Sequence, residues 1–160
     1  MPIRVLLNGQ NIIAPLDEKE WDNLQERVRS KEIELHLPCC QGLAYPRVSP
    51  RGAQHFVHFV NSACTPESET YLLAKLEIIK ACRKLGYDAI PEFCGEGWRA
   101  DVLVRSANWS CCFEVQVSPQ SFQETIRRQK TYKDHDLRCC WLFRQLPERQ
   151  PLNLEQMALV

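Results

Sequence analysis

The order of hydrophobic periods in the second half of the chain constrains its fold more than any other feature. Thr65-Pro66 opens a long helical pattern, with Thr as N-cap and Pro at the first helical position. Leu72, Leu76, Ile79 and Leu85 give it an apolar stripe, and Gly86 ends it. Three short apolar runs follow, Ala89–Phe93, Arg99–Val104 and Cys111–Val117. Turn-like residues separate them, so they read as consecutive strands of a meander. A second helix covers about Ser121–Lys133, and Arg138–Phe143 is a final apolar strand. The order is αβββαβ, an α/β fold class.

Ahead of this block, Ile3–Leu7, a turn at Asn8-Gly9 and Ile12-Ile13 read as a short β-hairpin. Asp17 followed by Glu20 is a capping box, starting a helix through Trp21, Leu24 and Val28. Residues 35–64 are rich in Pro, Gly, Cys and His and show little periodicity. A stretch that irregular needs a staple. The chain therefore divides into an N-terminal section, 1–64, a core, 65–145, and a tail, 146–160, with no readable element. Its 160 residues suffice for one self-sufficient hydrophobic core.

Lys plus Arg and Asp plus Glu each number 20, so bulk electrostatics cannot hold nucleic acid as a histone does. The charge is uneven, however. Residues 17–34 carry seven acids against four bases, and residues 121–133 carry four bases against Glu124 alone. A polyanion would have to find that second region. The apolar runs fall far short of the roughly 18 residues that span a bilayer. The opening MPIRVLLNGQ lacks an apolar stretch followed by a small-residue cleavage site. A cytoplasmic protein with no membrane span is expected. Nine cysteines, an odd number, argue against a disulfide framework. Most read as small core residues, above all Cys111, Cys112, Cys139 and Cys140 inside the strand-like runs.

Two carboxylates stand out within those runs. Asp101 interrupts the apolar Ala100, Val102 and Val104, and strand alternation turns it to the opposite face. Glu114 and Gln116 share one face of the next run, while Phe113, Val115 and Val117 share the other. If the strands are neighbours, a carboxylate from each converges on one point. Oxygen donors of this kind suit magnesium or manganese. Such an ion lowers the pKa of a bound water and neutralises charge developing on a phosphate. Gln116 could orient the attacking water or a phosphate oxygen. The plain alternative is a solvated sheet face.

The runs Trp98-Arg99-Ala100-Asp101-Val102-Leu103 and Phe113-Glu114-Val115-Gln116-Val117-Ser118 resemble the nuclease domain of the competence protein CoiA-like family. That family belongs to the PD-(D/E)XK nuclease superfamily. Arg128 and Tyr132 match its R-x-x-x-Y helix, and Trp141-Leu142 its final strand. The resemblance runs from about residue 2 to residue 145. It implies a restriction-endonuclease-like core, a mixed sheet flanked by helices, and the superfamily's αβββαβ order agrees. It also implies Asp101 and Glu114 as the metal-binding carboxylates. Gln116 stands where many members have a lysine, a known variant. The family's ES-x-x-H-x-x-x-K pattern reads Glu67-Ser68 through Tyr71 to Lys75, with Tyr71 replacing the His. Glu67, Tyr71 and Lys75 would share one helical face. Glu67 is the expected third acid, with Glu69 as its substitute.

Cys39 and Cys40, His55 and His58, and then Cys64 offer thiolates and imidazoles of the kind a tetrahedral structural zinc takes. P-C-C, H-F-x-H and the following Cys are family features in the same order. Their implied ligand set is Cys39, Cys40, His58 and Cys64, with His55 able to replace one. Zinc would staple the N-terminal section. Metal-dependent hydrolysis of DNA is then the expected activity, with DNA uptake, recombination or processing as its context. Arg127, Arg128, Lys130 and Tyr132 are the expected DNA contacts, and a homodimer is compatible with the reading. A different class stays open: a catalytically inactive DNA-binding or protein-interaction module that keeps the nuclease fold.

Overall fold

Local chemistry starts most elements where the sequence suggests. The computed structural model describes residues 2–59, 64 and 67–144. Asn8 and Gly9 both adopt left-handed backbone, φ 51° and 81°, as a two-residue primed turn requires. They join β1 (Arg4–Leu7) to β2 (Gln10–Ile13). Asp17 caps α1 (Glu18–Arg29), its side chain accepting the Glu20 N–H at 2.9 Å. The helix buries Trp21 and Leu24.

The stretch 35–64 departs from expectation. It holds β3 (Leu35–His36), β4 (Leu43–Val48) and β5 (Gln54–His58). These extend the hairpin into a five-stranded antiparallel sheet of order β2-β1-β3-β4-β5. Nor does a staple alone order it, because Leu35, Leu37, Ala44 and Phe56 are buried in the main core. Strands of two to six residues hold too few apolar positions to show a period.

The long helix, α2 (Glu69–Lys84), also begins later than expected. Ser68 is its N-cap and accepts the Tyr71 N–H at 3.3 Å. Thr65 and Pro66 lie outside the described residues, as does the tail from 145 onward. Gly86, at φ 82°, closes the helix. Its N–H bonds Arg83 O and the Tyr87 N–H bonds Cys82 O, the paired contacts of a Schellman motif.

β6 (Asp88–Cys94), β7 (Arg99–Arg105) and β8 (Ser110–Gln116) form the antiparallel meander. α3 (Phe122–Asp134), capped by Ser121, then leads to β9 (Arg138–Phe143), parallel to β8. The result is a mixed sheet of order β6-β7-β8-β9. One buried cluster joins Ile3, Val5, Trp21 and Phe56 to Leu72, Leu76, Ile79, Val102 and Val104, so α2 shares its core with both sheets. A second cluster, Ala100, Leu103, Cys112 and Tyr132, lies between β7, β8 and α3.

Strand alternation breaks at Asp101. Ala100 belongs to the cluster beside α3, whereas Val102, two residues on, packs with α2. The register pairs Pro91 with Val102 and Phe93 with Ala100, which sets Glu92 against Asp101. Glu92 adopts φ 51° there, a left-handed kink within the strand. Asp101 therefore turns toward α2 and is not opposite to both Ala100 and Val102 as expected.

None of the nine cysteines is in a disulfide. Cys82 and Cys112 are buried, but Cys140 is exposed, so the core role does not extend to it. Among the described residues no helix is long and apolar enough to cross a membrane.

Candidate active site

Both carboxylates singled out from the sequence are buried, which removes the solvated-face alternative. Asp101 accepts the Val115 N–H at 2.7 Å on one oxygen and the Tyr71 hydroxyl on the other. The first of these bonds ties the carboxylate to the neighbouring strand β8. Glu114 is only 1% exposed. One of its oxygens lies 2.5 Å from the Arg128 guanidinium, and the other accepts from the Tyr132 hydroxyl. Burial first, and the Asp101 charge second, push the Glu114 carboxyl up to about 8 against the pull of Arg128. Burial and the adjacent carboxylates raise both phenols, so Tyr71 and Tyr132 remain protonated donors.

Glu67 precedes the α2 cap and is not on the helix, so the single helical face expected for Glu67, Tyr71 and Lys75 is corrected. The three still meet. Lys75 Nζ lies 2.8 Å from Glu67 and 4.6 Å from the centroid of the Tyr71 ring. Burial alone would raise the Glu67 carboxyl, but the Lys75 ammonium overrides it and holds it below the usual range. Arg99 approaches the other Glu67 oxygen at 3.9 Å, with its side chain about half exposed. Glu69 lies apart, bonded to the Arg51 N–H at 3.0 Å.

The sequence reading missed Glu92. Its buried carboxylate accepts the Ile3 N–H at 3.0 Å and lies 2.6 Å from Lys75 Nζ. Lys75 is itself 0% exposed, inside the apolar stripe of α2. A signal existed, since an acid interrupting the run Asp88–Cys94 is the same anomaly that marked Asp101.

Gln116 lies on β8, two residues beyond Glu114. Its side-chain amide donates to the Ser118 carbonyl at 2.6 Å. Among the expected DNA contacts, Tyr132 is excluded by its burial, 1% exposed, and by a hydroxyl spent on Glu114 and the Arg99 carbonyl. Arg127 forms a two-point pair with Glu124, at 2.8 and 2.7 Å. Arg128 is the internal counter-ion of Glu114, whereas Lys130 is exposed.

The second constellation lies where the N-terminal sheet meets the chain entering α2. The Sγ atoms of Cys39, Cys40 and Cys64 all lie within 4.8 Å of one another. Cys39 and Cys64 are 3.9 Å apart, and Cys40 Sγ lies 3.3 Å from His58 Nε2. Tetrahedral zinc bonds imply separations of roughly 3.8 Å between two sulfurs and roughly 3.6 Å between sulfur and nitrogen. The three thiols are grouped closely enough to hold one ion, and His58 stands against Cys40 at their edge. Burial and the neighbouring thiols hold the Cys39 thiol at about 12, a penalty on the free thiolate that a cation would relieve. His55 is buried elsewhere, with its Nδ1 against the Ala53 carbonyl, and cannot replace His58.

The carboxylate pair passes a similar test for a hard cation. Its donors are all oxygens, and a cation would offset the burial and the Asp101 charge that oppose ionisation of Glu114. Each carboxylate has about four lone-pair sites, so the hydrogen bonds described leave acceptor capacity.

No curated protein matches the chain. The family model of the competence protein CoiA nuclease-like domain matches residues 67–157, from the acid ahead of α2 through both buried carboxylates to beyond β9. Because that match spans more than half of the chain, the protein belongs to the CoiA nuclease-like domain family.

Proposed function

We propose that the protein is a metal-dependent deoxyribonuclease built on a PD-(D/E)XK core, formed by α2, β6, β7, β8, α3 and β9. The observation that carries this reading is the pairing of Asp101 and Glu114, two buried carboxylates on adjacent strands. Asp101, Glu114 and Glu67 would hold magnesium or manganese, which supplies an activated water and charge neutralisation at the phosphate. The protein's own groups do the positioning. Tyr71 and the Val115 N–H aim Asp101, Tyr132 and Arg128 aim Glu114, and Lys75 restrains Glu67. Lys130 and Arg127 offer positive charge to the DNA backbone on the exposed side of α3. Zinc held by Cys39, Cys40, His58 and Cys64 would be structural, because all four positions of a tetrahedral ion are then filled by protein.

One observation favours a second reading, a DNA-binding protein without turnover. Arg128 at 2.5 Å already supplies Glu114 with a cation. Incubation with magnesium or manganese on linear, circular, branched and single-stranded DNA separates the two. Cleavage that disappears in Asp101→Asn and Glu114→Gln, with zinc content and fold unchanged, supports the nuclease. Wild-type turnover in either variant, at matched folding, would overturn the assignment of the site.

A further inference from the structure

Among the described residues, β9 is the last strand of its sheet, paired on one side only. Its parallel register sets Trp141 beside Glu114 and Phe143 beside Gln116. Paired residues of a parallel ladder project to the same face, so these two rings flank the candidate site. Trp141 is held rigidly. Its Nε1–H donates to Gln129 of α3 at 2.9 Å, and the Arg128 guanidinium lies 5.1 Å from its ring. Beyond it the Phe143 ring is almost coplanar in tilt, 12° from the indole, with centroids 5.8 Å apart. The series guanidinium, indole, phenyl thus starts at Glu114 and runs along the sheet edge past Gln116. Both rings are partly exposed, and Phe143 stands outside both buried clusters of the described residues.

We propose that Phe143, backed by Trp141, is a stacking platform for an unpaired base, so that the site takes DNA with single-stranded character. This deepens the nuclease reading and rests on it. Bases inside a duplex stack on one another and offer only edges, whereas a ring on a sheet edge can take the face of a base already out of the stack. The net positive charge of residues 121–133, which include most of α3, attracts the strand that carries the base.

Binding of the full chain to a fluorescein-labelled single strand of twenty thymidines, with calcium in place of magnesium, tests this directly. The wild type should bind that strand more tightly than the matched duplex. Phe143→Leu, which keeps apolar bulk but removes the π-face, should weaken single-strand binding roughly 5- to 150-fold, the range for one base–aromatic stack. Duplex binding should hardly change, and Phe143→Trp should retain the wild-type affinity. A strand with the same phosphates but abasic sugars probes the unmodified protein, and it should bind more weakly by a similar factor. Equal affinity for the abasic strand, or unchanged binding by Phe143→Leu, overturns the platform. If no DNA form is cleaved while the single-strand preference persists, the nuclease reading fails and the platform stands. Cleavage of duplex with no single-strand preference does the reverse.

Discussion

Lys75→Met is the substitution that most sharply tests how this scaffold holds its site. The ammonium is fully buried between Glu67 at 2.8 Å and Glu92 at 2.6 Å. Methionine keeps the length and the apolar stem but removes the charge. Glu67, with 19% of its side chain exposed, can recover solvent. Glu92 cannot, because its side chain is 5% exposed and the Ile3 N–H is a poor substitute for a cation. Removing one partner of a buried ion pair costs roughly 3–5 kcal/mol. At this chain length each kcal/mol moves Tm by roughly 2–4 °C, so a fall of about 6–20 °C is expected. Glu92→Gln in the same chain removes the stranded charge and leaves an oxygen for the Ile3 N–H. The double variant should regain most of the loss. Thermal unfolding followed by far-ultraviolet circular dichroism, with a urea titration of the same samples, reads both effects. A loss below about 1 kcal/mol, the scale of an ordinary substitution, would refute the reasoning. So would a double variant no more stable than Lys75→Met.

Cys64→Ser should release about one zinc per chain and lower Tm, since structural zinc binding is folding free energy; elemental analysis near zero in wild-type protein never exposed to chelator would refute the centre. Asp101→Asn should behave oppositely, keeping zinc and Tm while losing magnesium-dependent cleavage, and a loss of zinc there would show the two centres to be inseparable. Ser68→Ala should cost about 1 kcal/mol, or roughly 2–4 °C, if the hydroxyl caps α2 as the geometry shows. An unchanged Tm would return the helix start to an earlier residue.

The elements that the sequence alone determined are those set by contacts a few residues apart. Asn8-Gly9 can make only a tight primed turn, Asp17 and Glu20 cap a helix by themselves, and Gly86 stops one because it alone tolerates φ 82° without cost. The meander and the last strand were legible for the same reason, since alternation needs only the strand itself. So was the carboxylate pair, because an acid within an apolar run is anomalous wherever the run ends up. What tertiary structure decided depends on what lies across the fold. Lys75 and Glu92 are buried because α2 and β6 pack together and bring opposite charges within 2.6 Å, a pairing with no local pattern. The turn of Asp101 toward α2 follows from the kink at Glu92 on the neighbouring strand. Tyr132 looked like a surface group on a basic helix until α3 was laid over β8 and its hydroxyl met Glu114. The strands within 35–64 were invisible for a related reason. Their order comes from ladder hydrogen bonds to partners elsewhere in the chain and from a core shared with α2, and neither leaves a period in so short a segment.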